Sequence, residues 1–180
     1  MSSRSPAGFA RRIAQLARKL GIPADYAVAR HLQPQREAAR LVVIGRADDD
    51  GKIIRLAPRA AAAWKKMAAA SAGDGIVLLP LSGFRSVARQ ARIIRTKLAE
   101  GQTIGSILRL VAAPGFSEHH SGRAIDIGSP RQTALNARFA RTNAFAWLEQ
   151  HAGRFGFHLS YPRGNRHGIG YEPWHWCWRR

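Results

Sequence analysis

Cysteine occurs once in the 180 residues, at Cys177. No disulfide can form within the chain, and zinc fingers, zinc ribbons and iron–sulfur clusters built from one chain's thiolates are excluded. Any metal must be held by histidine and carboxylate. Acidic residues are scarce too: 11 Asp and Glu stand against 29 Lys and Arg, a formal net charge of +18. Such a chain is drawn to polyanions, and the charge alone does not choose among nucleic acid, anionic lipid and an acidic polymer. Long apolar runs are missing, and no stretch approaches the roughly 20 residues that span a bilayer. The apolar positions between Phe9 and Leu20 are interrupted by Arg11, Arg12, Arg18 and Lys19, so no secretory signal is expected there. What is present suffices for one domain: 46 % of the residues are hydrophobic, enough to bury a core without covalent staples.

Phe9, Ile13, Leu16 and Leu20 fall at i, i+4, i+7 and i+11, one stripe of a helix stopped by Gly21 and Pro23. Its other faces are basic and are expected to be solvated. Residues 41–44 and 53–56 read as strands across a turn, in which Asp48, Asp49 and Asp50 lack the alternating spacing of a calcium loop. Pro58 opens a helix with Trp64, Met67, Ala68 and Ser71 on one face, and residues 76–79 are expected to form a buried strand. Ser86 caps a helix whose apolar face is Val87, Ala91, Ile94 and Leu98. A further helix is expected from near Arg138 to about His151, followed by strands at 156–161 and 174–178. Strands and helices mix without regular alternation, which points to an α+β fold. Residues 1–40 read as a basic, helical N-terminal extension and 41–180 as the main domain.

Two segments carry chemistry. Residues 117–126 read Ser-Glu-His-His-Ser-Gly-Arg-Ala-Ile-Asp, and residues 171–176 read Tyr-Glu-Pro-Trp-His-Trp. Catalytic zinc takes three ligands from histidine and carboxylate and leaves a fourth position for water; His119, Asp126 and His175 can supply that set. Ala124, Asp126 and Gly128 alternate with Ile125 and Ile127, as on a strand with one apolar face, so Asp126 points away from the isoleucines. Gly122 lets the chain turn between His119 and that strand. Glu172 precedes Pro173, which biases it away from the α region. A carboxylate held beside the metal in this way can accept a proton from water, whose pKa zinc lowers to about 7. Spacing alone leaves two readings open, because the chain has seven histidines and a histidine near a carboxylate is more often structural than a ligand.

These segments resemble the zinc D-alanyl-D-alanine carboxypeptidases of the VanY type and, more broadly, their hedgehog-like peptidase relatives. That family carries S-x-H-x-x-G-x-A-x-D followed by E-P-W-H. Ser117, His119, Gly122, Ala124 and Asp126 match the first motif, and Glu172, Pro173, Trp174 and His175 the second. Ser82-Gly83-Phe84-Arg85-Ser86 matches an upstream S-G-[FY]-R-S segment, and Tyr161-Pro162 a Tyr-Pro before the last motif. The resemblance spans about 58–179 and leaves residues 1 to about 40 uncovered.

The resemblance implies a hedgehog/D-Ala-D-Ala peptidase-like fold over residues 41–180: a small antiparallel sheet carrying one zinc ion, flanked by helices. It implies His119, Asp126 and His175 as zinc ligands, Glu172 as general base, and Arg85 beside the scissile carbonyl, where it stabilises the oxyanion. Ser117 and Tyr161 are expected at the substrate, with turn capping and packing as their structural alternatives. Arg85 has its own alternative, pairing with a carboxylate at a helix start. His120 is expected to point away from the metal, Trp174 and Trp176 to sit in the core, and Cys177 to be a buried free thiol. His31, His151, His158 and His167 read as structural or surface residues. Gln90, one helical turn beyond Arg85, could face the cleft but is not counted in the site.

The implied activity is hydrolysis of a peptidoglycan stem peptide with release of C-terminal D-alanine. Related enzymes act instead as D-Ala-D-Ala dipeptidases or as phage-type L-alanyl-D-glutamate endopeptidases. A non-enzymatic alternative is a basic nucleic-acid-binding module with an inert peptidase-like core. Single-strand binding calls for aromatic residues interleaved with basic ones; here the aromatics fall on core stripes, so no specific nucleic acid is expected. A zinc-binding signalling domain without catalysis would need neither Glu172 nor Arg85. A monomer is expected, with its basic face toward an acidic wall polymer or anionic surface. The family works outside the cytoplasm and no export signal is seen, so wall-facing, cytoplasmic and unconventionally exported locations all fit.

Overall fold

In the computed structural model, which describes residues 5–47 and 51–179, hydroxyl side chains start four of the helices. Ser5 Oγ accepts from the Gly8 N–H at 3.0 Å and opens α1, Pro6–Lys19, with proline where a missing N–H costs nothing. Ser86 does the same for α4, Val87–Ala99, Thr103 for α5, Ile104–Leu108, and Thr142 for α6, Asn143–His151. Each such cap contributes about 1 kcal/mol. A short helical turn, α2, occupies Tyr26–Ala29, and α3, Pro58–Gly73, starts on its own proline. Among the described residues no helix is long and apolar enough to cross a membrane.

Strands β1, Val42–Arg46, and β2, Ile53–Leu56, form an antiparallel hairpin. The turn residues Asp48, Asp49 and Asp50 lie outside the described residues. The second sheet has the order β3-β4-β6-β5, built from β3, Leu79–Ser82, β4, Ala124–Gly128, β6, His175–Trp178, and β5, Phe157–Leu159. All its pairings are antiparallel, and Asp126 stands opposite Ser82 on one side and His175 on the other.

The two faces of β4 have different fates. Ile125 and Ile127 are fully buried against Trp64 and Met67 of α3, Leu148 of α6 and Trp176 of β6. Burying each isoleucine stabilises the fold by about 1.5–3 kcal/mol. Asp126 turns to the opposite face, as the alternation predicts. A second cluster joins Leu20, Ile22 and Tyr26 to Ala91 and Ile94 of α4 and Ile107 and Leu108 of α5. The stripe of α1 thus ends in a core shared with the middle of the chain, while Arg18 and Lys19 complement the negative end of its dipole. Trp176 is core and Cys177 is a buried free thiol, as expected.

Two expected elements differ in the structure, and two short helices were not expected. Residues 76–78 are not a strand; Val77 is 51 % exposed, and the strand begins at Leu79 and runs through Pro80. Proline is tolerated because β3 is the edge of its sheet, where a missing N–H breaks no ladder. The helix expected from near Arg138 is two pieces: a 3-10 turn at Ala137–Arg141, then α6, divided where extended Thr142 caps Phe145. The short helices α2 and α5 carry too few residues to show a period.

Gly122 closes the turn that bears His119. Its φ is +66°, and a Cβ there would meet the Ala57 nitrogen at 2.9 Å and the Ala38 Cβ at 3.2 Å. Gly122→Ala is therefore expected to destabilise the protein by at least about 1–2 kcal/mol, the usual cost of left-handed backbone. A lowered urea midpoint checks this, and an unchanged midpoint contradicts it.

Candidate active site

Pairing of β4 with β6 sets the frame. Asp126 of β4 and His175 of β6 are opposite each other, so their side chains meet on the face away from the isoleucines. His175 Nδ1 lies 3.1 Å from Asp126 Oδ1. The 3-10 turn Glu118–Ser121 swings His119 over the same face, with its Nε2 3.3 Å from Asp126 Oδ2. His119 Nδ1–H donates to the Gly83 carbonyl at 2.7 Å, which leaves Nε2 as the free lone pair aimed at the cluster. The ligand atoms of His119, Asp126 and His175 all lie within 4.8 Å of one another, and all three residues are buried. Zinc bonds of about 2.0–2.1 Å place neighbouring tetrahedral ligands about 3.3 Å apart. The two contacts to Asp126 match that spacing, and two imidazoles with one carboxylate are a donor set that catalytic zinc accepts. The residues therefore fit a divalent metal.

Around this cluster stand the other expected residues. The main chain of Arg85 is held by its N–H to the His119 carbonyl at 3.2 Å. Its guanidinium donates to Gln90 Oε1 at 3.2 Å and Ser82 Oγ at 3.4 Å, and lies 3.8 Å from Asp126 Oδ2. Glu172 sits in a turn closed by the His175 N–H to the Glu172 carbonyl, and its own N–H is tied to the Tyr161 carbonyl. Its carboxylate is 3.7 Å from His175 Nδ1. Ser117 and Tyr161 are both buried at the cleft wall, and the Tyr161 ring centroid is 4.9 Å from that of His175. These side chains line one cleft of about 160 Å³, with Leu110, Val111, Leu135 and Ile169 as its apolar walls. Trp174, expected in the core, packs against it and also borders the cleft.

The electrostatics follow from burial and pairing. Burial works to raise Asp126, but attraction and hydrogen bonds from His119 and His175 outweigh it and hold the carboxyl far below its usual range. Burial opposes a charge on His175, yet bonds to Asp126 and Glu118 overcome it and lift the imidazole to about 10. Burial also lifts Glu172 to about 7; His175 and Arg85 oppose the rise while Asp126 and Glu118 add to it. A carboxylate poised there is suited to taking and returning a proton near neutrality.

Three residues around the cluster were not counted in the sequence-based set. Glu118 Oε2 accepts from His175 Nε2–H at 3.0 Å, and its other oxygen takes a 3.0 Å bond from Arg179. The carboxylate fixes the His175 tautomer, leaving Nδ1 to face Asp126. Gln90, 1 % exposed, bridges Arg85 to the Ala112 carbonyl, 2.7 Å from its Nε2. His120 points away from the cluster, as expected, and clamps the Arg85 carbonyl through Nδ1–H at 2.6 Å. Burial pushes it down to about 4, so it stays neutral and its Nε2 accepts from the Gly115 N–H. Only the position of Glu118 beside His119 hinted at its place; its partner lies 57 residues away.

Removing the carboxylate that holds a ligating histidine typically costs 10- to 100-fold in metal affinity. Glu118→Ala is expected to weaken zinc binding by that range in a chelator competition while the circular dichroism spectrum is kept. Unchanged affinity would remove Glu118 from the support of His175.

Residues 53–180 match the family described as VanY: D-alanyl-D-alanine carboxypeptidase. The bifunctional D-Ala-D-Ala dipeptidase and D-Ala-D-Ala carboxypeptidase VanXYC of Enterococcus gallinarum is 31 % identical over 149 residues, covering 80 % of this chain and 76 % of that protein. YodJ of Bacillus subtilis (strain 168) is 37 % identical over 121 residues, which cover 64 % of this chain; the chain thus spans 43 % of YodJ, less than half its length. The LdcB LD-carboxypeptidase superposes with a TM-score of 0.71 at 32 % identity, covering 79 % of this chain and 69 % of LdcB. A mutant of the vancomycin-resistance D,D-pentapeptidase VanY in complex with Zn(II) gives 0.60 at 26 % identity, over 83 % of this chain and 87 % of that one. The fold is that of these peptidases, and the matched residues include the whole cluster around Asp126. By this match the chain belongs to the VanY D-alanyl-D-alanine carboxypeptidase family.

Proposed function

We propose that this protein is a zinc peptidase that removes the C-terminal D-alanine from peptidoglycan stem peptides. One observation carries the reading: a single small cleft holds the His119, Asp126 and His175 cluster with Glu172 and Arg85 beside it. Zinc held by those three residues would supply a Lewis acid that polarises a peptide carbonyl and acidifies water. Glu172, in the cleft beside His175, takes the proton of the attacking water and returns it to the leaving amine. Arg85, steadied by Gln90 and Ser82, offers its guanidinium to the oxygen that becomes negative. Glu118 keeps His175 oriented through each cycle, and Ser117 and Tyr161 line the path of the substrate. No acyl-enzyme is required, so no serine or cysteine acts as nucleophile.

A cleft of about 160 Å³ suits a small leaving residue such as alanine. The relatives act on neighbouring bonds: VanXYC is both dipeptidase and carboxypeptidase, and LdcB is an LD-carboxypeptidase. Release of one D-alanine from a pentapeptide is the primary assignment, and hydrolysis of the D-Ala-D-Ala dipeptide is the second reading. The formal charge of +18 favours retention of a monomeric enzyme on an acidic wall polymer.

Mass spectrometry of a pentapeptide stem ending in D-Ala-D-Ala is expected to show loss of one D-alanine, abolished by chelator. Glu172→Gln is expected to lower turnover by about 10²- to 10⁴-fold while zinc remains bound. Loss of zinc in that variant would make Glu172 a ligand. Failure of the zinc-loaded protein on pentapeptide, tetrapeptide and dipeptide would overturn the assignment.

A further inference from the structure

Helix α4 begins two residues after Arg85 and has no acidic residue in its first turn. The first N–H groups of a helix need partners and carry partial positive charge. Ser86, the capping residue, satisfies the Arg89 N–H. The Val87 N–H is satisfied from outside: Glu37 Oε1 accepts it at 2.6 Å, across 50 residues of sequence. A carboxylate at this place forms a charge-assisted bond and complements the helix dipole.

Two neighbours of Glu37 grip the loop that bears the histidines. The Ala38 N–H donates to the His120 carbonyl at 2.8 Å, and the Gln35 N–H to the Gly115 carbonyl at 2.7 Å. His120 in turn holds the Arg85 carbonyl and accepts from Gly115. The contacts close a ring that runs from the arm through Gly115 and His120 to Arg85 and back through Val87. On the other wall, Arg30 donates to the carbonyls of Leu108 at 2.8 Å and Gly168 at 3.0 Å, and Tyr26 Oη accepts from the Ala113 N–H at 3.1 Å. Those attachment points flank Leu110, Val111, Ala112 and Ile169, which line the cleft. All the gripping residues precede position 53, where the family match begins.

We propose that residues 26–38 brace the active site and that Glu37 is a positioning residue, fixing the α4 start and through it the placement of Arg85. The inference rests on the proposed role of Arg85 at the reacting carbonyl. Glu37 touches no reacting atom; it acts by holding the backbone from which the guanidinium extends.

The test compares the zinc-loaded full chain with its Glu37→Ala and Glu37→Gln variants, the second keeping an acceptor without the charge. Four quantities are read: kcat and KM on the pentapeptide, zinc content, and amide hydrogen exchange at Val87. In Glu37→Ala, Val87 exchange is expected to rise at least tenfold and kcat to fall about tenfold. That fall is short of the 10²- to 10³-fold lost with an oxyanion donor itself. KM and zinc content stay within twofold of the parent, and Glu37→Gln lies between. Unchanged Val87 exchange, or unchanged kcat despite faster exchange, would overturn the proposal. A parallel loss of zinc, KM and kcat would overturn it too, by marking a general structural role. If the parent protein is inert on every stem peptide, the peptidase reading fails. Exchange at Val87 then decides the brace alone: a local rise supports it and no rise overturns it.

Discussion

Asp126 is a carboxylate 2 % exposed in the middle of a sheet, and most of the surrounding architecture answers to that one buried charge. An isolated ionised carboxylate cannot persist in such surroundings without partners. Here it has His119 and His175 at hydrogen-bonding range and Arg85 just beyond. The partners are themselves buried and need support. His119 is tied to the Gly83 carbonyl, His175 to Glu118, and Glu118 to Arg179. The chain of polar contacts thus runs outward from Asp126 until it reaches groups that water can solvate. Among the described residues, no buried side-chain nitrogen or oxygen is left without a hydrogen-bond partner.

Buried ion pairs are weak contributors to stability, and well-packed apolar residues often replace them without loss. The fold must therefore draw its stability elsewhere, and the sheet divides the labour by face. The isoleucines of β4, with Trp64, Met67, Leu148 and Trp176, supply apolar burial on one side. The other side is free to hold charge, gathered around one small cleft. Such an arrangement is electrostatically preorganised: a metal with two positive charges would meet three ligand side chains already gathered, displacing the proton that Asp126 and Glu118 favour on His175, and the carbonyl of a bound peptide would meet a fixed guanidinium.

The parts of this plan that lie on one element were legible in the sequence. Alternation of Ile125, Asp126 and Ile127 announced which face of β4 is apolar, and Ser86 announced the start of α4. The glycine at 122 announced the turn between His119 and its strand. What the sequence did not reveal depends on contacts across the fold. Glu118 meets His175 only because β4 pairs with β6, and Glu37 meets Val87 only because the N-terminal arm folds back over the histidine loop. The strand expected at 76–79 instead starts at Leu79 and runs through Pro80, which only the edge position of β3 permits. The break at Thr142 was hidden by continuous helix-forming residues on both sides of it.

X-ray absorption at the zinc edge tests the centre of this account most directly, because it reads the ligands themselves. One zinc per chain is expected, with two imidazole nitrogens and a carboxylate oxygen at about 2.0–2.1 Å, and the remaining position filled by solvent oxygen. A first shell lacking two imidazoles, or a protein that retains no zinc after dialysis, would contradict it.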